Sequence, residues 1–147
     1  MINTVSMITS LINDSSLNKY ILPGSPMAWK RAGLCKSRFY DQQTHVKMAK
    51  GCEMNLQRNG APTLMKPIRL IAMFYMPMPN SWSPKKRDLM RGKHCPTTPD
   101  NTNMMKLIED IAVEVQIMRD DALIASHFYD KIYDDNPRTE FILQEIE

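Results

Sequence analysis

The chain has 147 residues, 43% of them hydrophobic and 24% charged, which suits one domain with a real core and excludes an extended, disordered polyelectrolyte. No run of 18 apolar residues occurs, so no membrane-spanning helix is expected, and residues 1–17 lack the basic start and apolar stretch of a signal peptide. The net charge of +3 is unevenly placed. Residues 1–106 carry 16 Lys/Arg against 5 Asp/Glu (+11), and residues 107–147 carry 3 against 11 (−8). That asymmetry suits a polyanion-binding surface beside an acidic cluster, though it equally suits charges that mix on folding.

Residues 1–17 are expected to be a loosely ordered extension, with the domain proper spanning 18–147. Tyr20–Leu22 reads as a short strand entering the Pro/Gly loop PGSPMAWKR. Lys30, Arg31, Lys36 and Arg38 follow. Asp41 or Thr44 is expected to cap a helix through about Arg58, with Met48, Cys52 and Leu56 facing the core and Asn59-Gly60 as a turn. Pro67–Met78 is the strongest strand, apolar at alternate positions on both faces and therefore central in the sheet.

Ser81–Gly92 reads as a short helix with Ser83 as N-cap and Pro84 at its first position. It presents Lys85, Lys86, Arg87 and Arg91, and Lys93 and His94 follow. His94 is expected at the surface or against phosphate. A helix from about Thr102 to Met118 carries a core stripe of Met104, Leu107/Ile108, Ile111, Val115 and Met118, and a polar stripe of Asn103, Lys106 and Asp110. Leu123–Tyr133 and Arg138–Ile146 read as two strands forming a hairpin about Asp134–Pro137. The order predicts a single-domain α/β fold with a mixed β-sheet packed by helices. Three scattered cysteines, Cys35, Cys52 and Cys95, fit a reduced, intracellular (cytoplasmic) protein rather than a disulfide framework.

The chemistry concentrates in TTPDNTNMMKLIEDIAVEVQIMRDDALI (97–124). Asp100 precedes the helix and Asp120-Asp121 follow it. A 17-residue helix is roughly 25 Å long, so the acids meet only across subunits or if the chain doubles back after Met118. Joined, they would be hard oxygen ligands suited to Mg²⁺ or Mn²⁺, with Lys106 beside the scissile phosphate of a phosphodiester. Apart, Asp100 would be a helix cap and Asp120-Asp121 a turn. The residues alone leave both open.

The stretch PDNTNMMKLIEDIAVEVQIMRDDALI, with Lys131 after it, resembles the signature of RusA-type Holliday-junction resolvases. Their pattern runs PD-x-DN-x-x-K, a helix bearing a further Asp, a DD-x-QI strand and a later Lys. Asp100, Asn103, Lys106, Asp110, Asp120, Asp121 and Lys131 fall at its spacings, and PMAWKRAGLCKSRFYD is similar to the family's basic opening loop. The resemblance covers about residues 20–147. It implies a homodimeric, Mg²⁺-dependent endonuclease that resolves four-way DNA junctions by paired symmetric nicks. Asp100 and Asp121 would be metal ligands with Asp120 beside them, Lys106 would meet the scissile phosphate, and Thr102, Asn103 and Asp110 would support the site. Lys30, Arg31, Lys36, Arg38, Lys85, Lys86, Arg87, Arg91, Lys93 and Lys131 would contact the DNA. Two positions depart from the pattern: Thr102 stands where a second metal-binding Asp is usual, and Leu123 where a Gln is usual. Loss of that carboxylate weakens metal affinity and opens an alternative, a catalytically silent branched-DNA-binding protein of the same fold. A third reading is a small adaptor whose acids are caps and turns.

Overall fold

The computed structural model describes residues 3–14, 19–31, 33–35, 38–40 and 43–146; Lys36 and Asp41 lie outside this set, as do the side chains of Cys35 and Arg38. Its centre is β4 (Ile68–Met76), buried along almost its whole length. Ile68, Leu70, Ala72, Phe74 and Met76 enter one apolar cluster, and Ile71, Met73 and Tyr75 enter another on the opposite face. A strand apolar on both sides is stable only with layers above and below it, and the fold supplies both. Four strands form one mixed sheet in the order β1 (Lys19–Pro23), β6 (Arg138–Glu145), β4, β5 (Ile124–Tyr133). β6 runs antiparallel to both neighbours, so that Phe141 faces Tyr20 on β1 and Ala72 on β4. β5 runs parallel to β4, with Ala72 opposite Tyr129. β2 (Gly33–Cys35) and β3 (Arg38–Tyr40) make a separate two-stranded ribbon.

The expected hairpin of the last two strands does not form, because β4 lies between β5 and β6. The link passes over the end of β4, where the Asp134 N–H donates to the Met76 carbonyl. The most apolar strand takes the central place, and the two partly polar strands flank it.

On one face lie α2 (Thr44–Arg58) and α4 (Asn101–Glu114). α2 ends at Arg58 and turns at Asn59-Gly60, both with positive φ, as the sequence predicts. Its start and its buried face differ from expectation. Gln43 is the N-cap, without a side-chain capping bond, and Thr44 is the first helical residue. Met48 and Leu56 are 63% and 77% exposed and Cys52 is exposed, whereas Lys47, Gly51 and Met54 are buried. The inward face is set by close packing against α4: a Cβ on Gly51 would come 2.9 Å from Val115 Cγ1. Lys47 is compensated by Asp110 and Glu114, each 3.9 Å from its ammonium.

The second face of the sheet is covered by α1 (Thr4–Ile12), which corrects the expectation of a loosely ordered 1–17 segment for residues 3–14, the part of it that is described. Asn3 caps it by accepting from Val5 N at 3.0 Å. Ile8 and Ile12 are buried against Ile71, Met73, Tyr75, Ile132 and Ile142. Each such side chain contributes roughly 1.5–3 kcal/mol of burial. α3 (Pro84–Met90) forms as predicted, with Ser83 Oγ accepting from Lys86 N and Pro84 in the first turn. No described helix is long and apolar enough to cross a membrane.

Candidate active site

α4 begins one residue earlier and ends four residues sooner than expected. Its core stripe of Met104, Leu107, Ile108 and Ile111 is buried. At Gln116 the backbone turns through a left-handed conformation (φ 61°). Ile117 and Met118 stay buried outside the helix, tied to Leu64 by the Leu64 N to Ile117 O hydrogen bond of 2.8 Å. The chain thus turns back, and a short 3-10 turn, Asp121–Leu123, delivers it to β5. This return leaves a cavity of about 380 Å³ between α4 and the edge strand β5. Thr102, Met105, Lys106 and Glu109 line it from the helix, Asp121 from the 3-10 turn, and His127 and Tyr129 from the strand.

Three of the residues implied by the resemblance, Thr102, Lys106 and Asp121, therefore share one cavity. Asp100 stands two residues before Thr102 at the N-cap of α4, and its side chain makes no capping hydrogen bond. The cap reading thus lacks its defining contact. Beside it Asn101 Oδ1 is buried without a hydrogen-bond partner. Asp120 does serve as a cap, accepting from Ala122 N at 3.0 Å. That hydrogen bond, the largest influence on it, holds its carboxyl below the usual range. Asp121 moves the other way, raised first by its hydrogen bond to Asp120 and further by the negative charges of Asp120 and Asp110. Two adjacent carboxyls with opposed shifts mark a site of excess negative charge. Asp110 points elsewhere, to Lys47 on α2.

Lys106 is held by a contact the sequence did not advertise. Its Nζ lies 3.7 Å from the centroid of the Trp29 ring, and Trp29 N–H donates to the Asn103 carbonyl at 2.9 Å. The buried Gln43 fixes the loop on both sides of the tryptophan, donating to Ala28 O at 2.7 Å and accepting from Lys30 N at 2.9 Å. An amide both donates and accepts, so a glutamine can be buried here with its hydrogen bonds met.

The basic residues divide by use. Lys30, Lys85 and Lys93 are exposed, as is Lys86, whose ammonium lies 4.6 Å from the Trp82 ring centroid. Arg31 is exposed and engaged. Arg87 donates to the carbonyls of Trp82 and Pro79, and Arg91 forks onto Asp135 and reaches Asp88. Lys131 donates to the carbonyls of Thr97 and Pro99, tying the loop before Asp100 to β5. His94 is exposed, 3.4 Å from Asp130 Oδ1.

A divalent cation is implied by the resemblance, and the donors present can be tested for it. Among the described residues no three His, Cys, Asp or Glu side chains converge as a ready-made cage. Mg²⁺ commonly makes do with one or two carboxylates, retained waters and substrate phosphates. The Asp121 carboxyl, with Asp120 beside it and the Thr102 hydroxyl on the same cavity, is an oxygen set of that kind. Glu109, His127, Trp29 and Gln43 were missed by sequence reasoning. His127 lies 18 residues from its partner Glu109, so no local spacing signals the pair. A profile of the family described as Endodeoxyribonuclease RusA matches residues 23–144. No curated protein matches the chain.

Proposed function

The chain belongs to the RusA endodeoxyribonuclease family, and from that premise we propose that it cuts four-way (Holliday) DNA junctions by paired nicks, acting as a homodimer with Mg²⁺ or Mn²⁺. The observation that carries this is the cavity between α4 and β5, where Asp121, Lys106 and Thr102 face one space. Asp100 and Asp121 would hold the ion, with Asp120 beside them. When bound, that ion would supply charge neutralisation at the phosphate and an activated water. Lys106 offers a fixed positive charge for the scissile phosphate, and Lys30, Lys85, Lys86 and Lys93 offer contacts to the backbone of the arms. A two-fold dimer presents two such cavities, which suits two symmetric cuts. Among the described side chains Cys52 and Cys95 are free thiols, which fits an intracellular setting.

The second reading, a silent junction-binding protein, is favoured by one feature: Thr102 where the family carries a carboxylate. A synthetic junction incubated with the protein, with and without Mg²⁺ or Mn²⁺, separates the two. Paired nicks that vanish without metal, and in Asp100→Asn and Asp121→Asn, support the nuclease. Tight binding without cutting, converted to cutting by Thr102→Asp, supports the silent binder. An absence of binding rejects both.

A further inference from the structure

The cavity also holds a pair of side chains that the reading above leaves unused. Glu109 follows Lys106 by three residues on the same side of α4, and His127 Nε2 lies 2.8 Å from its Oε1. Their side chains are 16% and 38% exposed for Glu109 and His127 respectively, and both line the cavity with Asp121, Lys106 and Thr102. The Tyr129 ring stands edge-on to the imidazole, 6.3 Å between centroids. An ionised carboxylate only accepts hydrogen bonds, so Nε2 carries the hydrogen. Nδ1 is then the nitrogen that can exchange a proton with something in the cavity. The charged and titratable groups around the ring are Glu109 and Lys106 from the helix, Asp121 from the 3-10 turn and Tyr129 from its own strand.

Hydrolysis of a phosphodiester releases an alkoxide, a strong base that must gain a proton. Ionised carboxylates cannot give one, and Lys106 is turned onto Trp29. Resting on the nuclease reading, we propose that His127 is the catalytic general acid of the cut and Glu109 its positioning residue. As the oxygen of water bonds to phosphorus, the bond from phosphorus to the leaving sugar oxygen breaks. The electron pair departs with that oxygen, which takes the proton from Nδ1 of the imidazolium. The surplus proton of the water passes to solvent, and the ring regains a proton from solvent before the next cut.

The experiment compares single-turnover cutting of two junctions in Mn²⁺, one with oxygen and one with sulfur at the leaving position of the mapped cut. A thiolate leaves without protonation, since its pKa is about 8.5. His127→Gln should slow the oxygen junction by about 10²–10⁴-fold and cut the sulfur junction within a few-fold of wild type. Glu109→Gln should show a smaller loss with the same relief. Both variants should bind the junction as wild type does, which reports an intact fold. Cutting of the oxygen junction by His127→Gln at the wild-type rate overturns the proposal, as does equal slowing on both junctions. A wild-type protein that cuts neither junction overturns the nuclease reading, and this inference with it.

Discussion

The ammonium of Lys106 rests 3.7 Å from the centroid of the Trp29 ring, and Trp29 is itself fixed by Gln43 gripping the residues on either side of it. The indole sets where that positive charge points. A cation over tryptophan contributes about 0.5–2 kcal/mol, and roughly 1.4 kcal/mol corresponds to a tenfold change in rate. Trp29→Leu should therefore lower the single-turnover cutting rate by about 2–30-fold while junction affinity changes less than about twofold. A drop in affinity at an unchanged rate would make Lys106 a binding lysine instead.

Lys131 is a structural strut by geometry, because its ammonium is spent on the Thr97 and Pro99 carbonyls ahead of Asp100. Hydrogen bonds from a charged donor contribute about 1.5–3 kcal/mol, less where solvent competes. Lys131→Met should cost about 1–2 kcal/mol in urea unfolding by that measure and slow cutting more than it weakens binding. The salt dependence of junction binding should not change. If the slope of log affinity against log salt falls by about one, Lys131 meets phosphate after all.

The exposed lysines should behave in the opposite way. Lys85→Ala with Lys93→Ala should reduce that salt slope by about two, at little cost in stability. Arg91→Ala removes the fork to Asp135 and the contact with Asp88. It should leave the unfolding midpoint almost where it is, because solvent screens exposed ion pairs, with the slope nearly unchanged.

Asp121 predicts a conflict between activity and stability. Its carboxyl is raised by the hydrogen bond and charge of Asp120. A carboxyl raised in the folded state favours the fold while protonated and loses that advantage as pH climbs through its folded pKa. Asp120, lowered chiefly by the Ala122 N–H, works in the other sense: its contribution is present above the unfolded value and fades as pH falls. Asp121→Asn removes the repulsion, so at pH 7 it should melt above wild type while cutting is abolished. Near pH 3, where wild-type Asp121 is protonated, the two melting temperatures should converge. A variant less stable than wild type at pH 7 would contradict the assignment.

The N-terminal helix should matter to the whole domain. Ile8 is 2% exposed against the second face of the sheet. Ile8→Ala should cost about 2–4 kcal/mol, the range for truncating a buried isoleucine, measured by chemical unfolding. A change below 0.5 kcal/mol, the size of an ordinary surface substitution, would show that α1 does not hold the sheet.

How much of this was readable beforehand follows from where the information sits. β4 announced itself because its apolar positions on both faces belong to one continuous segment, and α3 because Ser83, Pro84 and Gly92 are local punctuation. The buried face of α2 was misread for a physical reason. Periodicity counts Met48, Cys52 and Leu56 as interior by type. It cannot see that the missing side chain of Gly51 lets α4 approach, or that Lys47 goes inside because Asp110 and Glu114 meet it. The supposed hairpin failed because adjacency along the chain does not decide adjacency in a sheet. In the site, Lys106 and Asp121 stand at motif spacings, and Thr102 is visible as the position that departs from the pattern. The Glu109–His127 pair and the Trp29 platform join distant segments, so only the folded chain brings them into view.

The position of β6 has a bearing on how the molecule comes into being. Though β6 (138–145) follows every other described strand in sequence, it lies between β1 and β4. On a ribosome, β1 emerges before β6, the strand it pairs with among the described residues, and waits for that later segment. Phe141 then closes against Tyr20 and Ala72 at once. Assembly of the sheet is therefore held back until residues 138–145 have been made, and a product that stops before them lacks the strand that joins β1 to β4.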